Sequence, residues 1–207
     1  MEISVEGYQL EFLQVPIRFS RYDIVNRFAG KNDRTLDETL SGRRYMKLSG
    51  DVRRRYPAFL DDKLGEFLSR LKSEDDSYYL RFLNKHGDDT FCNFSIERTS
   101  RSAKRGLYCF VVANKVKYIG RSHDPFEKRF NQEYGRISPQ SCYLDGQSTN
   151  CHINAVIAKN HAVISLFVCP IEDDSEINPL EELLIDSHQP EWNIQLRSGI
   201  QVSENDR

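Results

Sequence analysis

Residues 106–120, GLYCFVVANKVKYIG, constrain the fold more than any other stretch of the chain. Two β-rich runs, LYCFVVA and VKYIG, flank Asn114-Lys115, a spacing that predicts a tight hairpin. The next segment, HDPFEKRFNQEYG, opens with helix-start chemistry. Asp124 stands as N-cap, Pro125 at the first helical position and Glu127 at the third, as in a capping box. Gly135 can end that helix. A polar loop, RISPQSCYLDGQS, precedes a helix predicted over 149–160, where Ser148 or Thr149 can serve as the cap. AVISLFVCP lacks alternation and reads as a strand buried on both faces; INPLEELLIDSH then reads as a helix. The order is β-β-α-α-β-α.

The first hundred residues are less regular. MEISVEGYQLEFLQVPIRF alternates weakly and fits a strand or two. RYDIVNRFA and PAFLDDKLGEFLSRLKS read as helices, the second with Phe59, Leu60, Leu64, Phe67, Leu68 and Leu71 on one face. YYLRFLNKHGDDTFCNFSI reads as a hairpin turning at HGDD. The polar, basic run SIERTSRSAKR marks a seam. It divides the chain into an N-terminal region 1–100, a domain 101–196 and a tail 197–207.

Charge is distributed unevenly. The whole chain of 207 residues carries 29 basic and 31 acidic side chains, which excludes a bulk polycation but not a local basic patch. Residues 18–55 hold 11 basic and 5 acidic residues, while 106–207 hold 9 and 14. The longest uncharged apolar run, AVISLFVCPI, has about half the length of a membrane span, and the first residues lack signal-peptide character. A cytoplasmic protein without membrane contact is expected. Five cysteines without CxxC spacing argue against a disulfide framework. A zinc site from Cys142, Cys151 and His152 matches no familiar ligand pattern, so buried or idle thiols are the plainer reading.

Several residues carry chemistry. Tyr108 and Tyr118 lie near the ends of the paired strands, where both hydroxyls can share one side of the sheet. Arg121 supplies local positive charge, and Arg129 offers the planar fork that suits phosphate oxygens. On the late helix, Ile177, Leu180, Leu183 and Leu184 form the buried stripe; Glu181 flanks it and Glu182 points away. Taken singly, these are strand tyrosines, solvated helix charges and, at Asn193, a turn residue.

Taken together they resemble the GIY-YIG nuclease superfamily over residues 106–195. Gly106-Leu107-Tyr108 and Tyr118-Ile119-Gly120 are similar to its signature pair, with Leu107 in place of isoleucine. Arg129 falls nine residues beyond the second glycine, and Glu181 and Asn193 fall at the family's late spacing. The resemblance implies an α/β (α+β) fold, a small three-stranded antiparallel sheet flanked by helices, preceded here by a mixed N-terminal DNA-recognition region. It implies a catalytic set of Tyr108, Tyr118, Arg121, Arg129, Tyr134, Glu181 and Asn193. Glu181 would hold a single Mg²⁺ (or Mn²⁺) ion per active site. The helix position four residues after the arginine, often His or Tyr in relatives, is Glu133 here. Either the helix bulges and Tyr134 supplies the hydroxyl, or Tyr108 alone serves as base.

The implied activity is divalent-metal-dependent cleavage of DNA, in the first place by a restriction or phage-defence enzyme. A mobile-element or structure-specific repair nuclease, and a non-catalytic nucleic-acid-binding module, are the alternatives. Double-stranded DNA is the expected partner, with a homodimer on DNA as one route to a double-strand cut. Arg43, Arg44, Lys47, Arg53, Arg54 and Arg55, interleaved with Tyr45 and Tyr56, are expected to contact phosphates. Gln147, Thr149, Asn150 and His152 are expected near the backbone, with Asn154 on the same helix start.

Overall fold

The computed structural model describes residues 1–30 and 33–193; the expected tail at 197–207 lies outside the described residues. The chain mixes helices with several small antiparallel sheets. In order, its strands are β1 (Glu2–Val5), β2 (Tyr8–Glu11), β3 (Leu13–Val15), β4 (Ile17–Ile24), β5 (Phe91–Ile96), β6 (Gly106–Val112), β7 (Lys115–Ser122) and β8 (Ile164–Pro170). Its α-helices are α1 (Leu36–Leu40), α2 (Met46–Arg55), α3 (Leu64–Ser73), α4 (Phe126–Lys128), α5 (Ser148–Lys159) and α6 (Asp174–His188).

Two compact units share this chain, and they interleave in sequence. One holds Met1–Arg18, Ser95–Gln132 and, among the described residues, 162–193; the other holds Phe19–Phe94 and Glu133–His161. The division therefore does not follow a boundary near residue 100. The reason is visible in the first unit, where β3 completes a four-stranded sheet of order β3-β8-β6-β7. Leu13 pairs with Val168 and Val15 with Leu166, so the expected three-stranded sheet gains a strand from the chain's beginning.

The hairpin at the centre of that sheet forms as expected, displaced by one residue. Its two-residue turn is Ala113-Asn114, with φ of 48° and 60°, and Lys115 already belongs to β7. Positive φ at both central positions is the twist that matches a two-residue hairpin. Gly106 opens β6 at φ 140°, and a Cβ there would collide with the Cys169 carbonyl oxygen on β8.

Strand alternation then gives this sheet two apolar faces. On one, Leu107, Cys109, Val111 and Ile119 pack against Ile177, Leu180, Leu184 and Ile185 of α6, together with Ile3, Val5, Leu10 and Phe12. The other face carries an aromatic cluster of Tyr108, Phe110 and Tyr118, to which Phe130 adds.

The second unit is mainly helical. Phe28, Leu36, Leu40, Leu48, Val52, Phe67, Leu68 and Phe82 are among its buried core residues. α1 starts with a capping box in which Thr35 and Glu38 satisfy each other's backbone amides. Two sequence readings fail in this unit. RYDIVNRFA is not a helix: β4 runs to Ile24 and a short 3-10 turn, Arg27–Ala29, follows. YYLRFLNKHGDDTFCNFSI is not a hairpin: Ser77–Phe82 is 3-10 helix, and β5 takes β4 as its partner. Distant pairing outweighs local pattern in both places. Likewise, PAFLDDKLGEFLSRLKS divides into a 3-10 turn, Pro57–Phe59, and α3.

Candidate active site

The site begins with the two tyrosines. In the β6–β7 ladder Tyr108 pairs with Gly120 and Phe110 with Tyr118, so the tyrosines are diagonal neighbours on one face. Their ring centroids lie 6.0 Å apart, and Phe130 meets Tyr108 edge-on at 5.0 Å. Tyr108 is fully buried and Tyr118 is 8 % exposed.

Arg129 stands where α4 ends, and the next residue, Phe130, anchors its helix to the tyrosine face. The expected capping box is not made: Pro125 occupies the cap position, with no side-chain cap bond. From Arg129 to Tyr134 the backbone is a π-helix. A π-helix here is the bulge that one of the two alternatives at Glu133 and Tyr134 requires. Tyr134 is fully buried.

Across the sheet, Arg121 follows Gly120 and alternation turns it toward α6. There its guanidinium pairs with the Glu181 carboxylate, whose side chain is 7 % exposed against 38 % for Arg121. Glu182, in contrast, faces solvent, as the helical stripe requires. Nearby, His123 holds the first turns of α6 through Asp174 at 3.0 Å and Asn178 at 2.9 Å. The His123 bond, followed by the charge of Arg105, holds the Asp174 carboxyl below its ordinary value.

Asn193 closes the outer edge. Its Oδ1 accepts from Ile119 N–H at 2.9 Å, and its Nδ2 donates to Ile119 C=O at 2.7 Å. With Trp192 N–H donating to Lys117 C=O, residues 192 and 193 cover the free edge of β7. Asn193 thus meets backbone on both sides of its amide. Six of the seven expected residues lie in the first unit, with Tyr108, Tyr118 and the Arg129 helix on one face of the hairpin, Arg121 and Glu181 on the other and Asn193 at the edge; Tyr134 belongs to the second unit.

As a metal ligand Glu181 offers one buried carboxylate, and no cluster of three or more His, Cys, Asp or Glu exists among the described residues. A single hard oxygen donor fits an Mg²⁺ ion that keeps most of its waters and takes phosphate oxygens. Cys142, Cys151 and His152 form no such cluster. All five cysteines are free and buried. Burial pushes the Cys92 thiol up to about 12, and the hydrogen bond with Cys151, then burial, pushes Cys142 up.

The basic segment of the second unit is exposed at Arg43, Arg44, Lys47, Arg53, Arg54 and Arg55. Some of it is internally neutralised. Arg53 pairs with Asp37 at 2.5 Å and Arg54 with Asp51 at 2.7 Å, while Arg44 donates to the Leu144 carbonyl. Arg55 lies over Tyr78 at 4.7 Å. Arg43 and Lys47 have no ion-pair partner among the described residues. The interleaved tyrosines are not open stacking platforms. Tyr45 is buried with its hydroxyl on Asp145, and Tyr56 donates to Asp76 at 2.6 Å.

On α5, Gln147 and Thr149 are exposed, and Gln147 rather than Ser148 or Thr149 takes the cap position. Asn150 is buried and donates to Gln147, and His152 is half-buried with its ring 4.6 Å from that of His86. Asn154 is fully buried: it exchanges two hydrogen bonds with the Cys92 backbone and donates to Tyr134 C=O. No helix among the described residues is long and apolar enough to cross a membrane.

Comparison with protein-family models, with curated proteins and with solved structures finds no match for this chain.

Proposed function

We propose that this protein is a divalent-metal-dependent DNA endonuclease of the GIY-YIG type, acting in restriction or phage defence. The observation that carries the reading is the burial of Glu181 on the side of α6 that meets Arg121, while Glu182 is exposed. That burial leaves one hard oxygen donor at the border of the α6 core, the kind of ligand an Mg²⁺ ion takes. The hairpin adds the second support, because Tyr108 and Tyr118 share a face and both crowd Gly120.

In this reading the residues divide the work. Arg129 binds the phosphate oxygens through its planar fork. Tyr108 and Tyr118 orient the attacking water, with Tyr108 as base. Glu181, which with Arg121 lies on the opposite face of the hairpin from the tyrosines, would hold the ion, and the charge neutralisation that the ion would supply belongs to a phosphate reaching that face. Asn193 keeps the β7 edge, and with it Tyr118, in register. Arg43 and Lys47 lead the contacts to double-stranded DNA.

A second reading is a non-catalytic nucleic-acid-binding module. It draws on the full burial of Tyr108 and on the Glu181 carboxylate being engaged by Arg121. Incubating plasmid and single-stranded DNA with Mg²⁺, with EDTA and with the Glu181→Ala variant separates the two. Cleavage with Mg²⁺ alone supports the enzyme; intact substrate in every arm leaves the binding module. Cleavage that survives Glu181→Ala removes the metal role from Glu181.

A further inference from the structure

We propose that Arg121 is a resident counter-ion that occupies the place of the divalent cation at Glu181 and exchanges with it. The inference rests on the metal-dependent reading above.

Glu181 is buried on α6, and the partner of its carboxylate is the Arg121 guanidinium. The two residues differ in freedom, however. The Glu181 side chain is 7 % exposed and α6 is pinned around it by core contacts and by the His123 bridge to Asp174 and Asn178. Arg121 is 38 % exposed and ends a long, flexible stem on β7. A dication entering at Glu181 repels a guanidinium at the same oxygen, and the exposed partner is the one that can leave. Leaving carries its charge to the solvent side, where a phosphodiester would meet it. Cation entry and phosphate capture would therefore be coupled through the one Arg121 side chain.

Mn²⁺ binding followed by electron paramagnetic resonance tests this without any cleavage readout. Arg121→Gln removes the competitor and should tighten Mn²⁺ binding by about tenfold, the direction set by the lost repulsion. Arg121→Lys should stay near wild type, and Glu181→Gln should abolish the site in either background. Thermal melts followed by circular dichroism report whether each variant is folded. In the wild-type protein, the Arg121 Nε–Hε resonance should move on Mg²⁺ titration, a measurement that needs no variant. Equal Mn²⁺ affinity in wild type and folded Arg121→Gln, or an unmoved Arg121 resonance in Mg²⁺-bound protein, overturns the exchange and leaves the nuclease reading standing. Absence of Mn²⁺ binding in both proteins overturns the metal-dependent reading and the exchange together.

Discussion

Tyr108 and Gly120 are direct partners across the β6–β7 ladder, and the tyrosine ring lies over the glycine. A Cβ at position 120 would fall 2.6 Å from the Tyr108 Cζ and hydroxyl oxygen and 2.7 Å from Tyr118 Cε1. The glycine of YIG is thus a steric requirement of the two tyrosines. Gly120→Ala should displace both rings and destabilise the first unit by about 1–3 kcal/mol, the usual scale of overpacking. Near-ultraviolet circular dichroism should register the ring movement, and urea titration the loss. A variant within about 0.5 kcal/mol of wild type, the range of neutral surface changes, would contradict the crowding.

Asn193→Ala should open the β7 edge. It removes both bonds to Ile119, leaving one buried N–H and one C=O without their partner, at a cost of about 1–3 kcal/mol. Hydrogen exchange gives the local readout. The Ile119 amide should lose protection more than the amides of β6, and equal loss along both strands would mean general destabilisation instead.

Acid sensitivity should centre on Asp145. Burial raises its pKa, but bonds from Tyr45 and Arg34 outweigh that and hold it below the ordinary carboxylate value. Its stabilising contribution is therefore present above the unfolded pKa, near 3.9, and is lost as pH falls through the lower folded value. Tyr45 is pushed up by burial and by Asp145, so its share is present below about pH 10 and is lost only as pH rises past the folded value. Tyr45→Phe should flatten the acid limb of the stability curve between about pH 5 and 2. An unchanged acid limb in denaturant titrations across that range would remove the Tyr45–Asp145 bond from the account.

DNA affinity should depend most on the cations without internal partners. Neutralising Arg43 and Lys47 should weaken binding and lower the salt slope by about one per lost phosphate contact. Neutralising Arg53 and Arg54, tied to Asp37 and Asp51, should do less. Arg129→Ala should mainly slow cleavage. Binding isotherms at several salt concentrations, set beside cleavage rates, check the ranking, which fails if all the substitutions behave alike.

Legibility followed sequence separation. The hairpin, α5 and α6 showed in local periodicity because their faces are set within a few residues. The burial of Glu181 but not Glu182 follows from helical spacing alone, and the backbone after Arg129 is a π-helix where the sequence left Glu133 and Tyr134 as alternatives. By contrast, β4 carries mostly exposed residues, and its RYDI stretch imitates a helix because nothing within it announces β5 as partner. The buried role of Tyr45 was hidden for the same reason: Asp145 lies 100 residues away.

By itself, then, the sequence determined which segments become strands and helices around the hairpin and which glutamate α6 buries, since these depend on short-range spacing. Tertiary structure alone decided that β3 joins β8, that the two units interleave along the chain, and that Arg121 meets Glu181. Those pairings join residues far apart in the chain, and they are selected by burial and charge in three dimensions, for which no local pattern exists to be read.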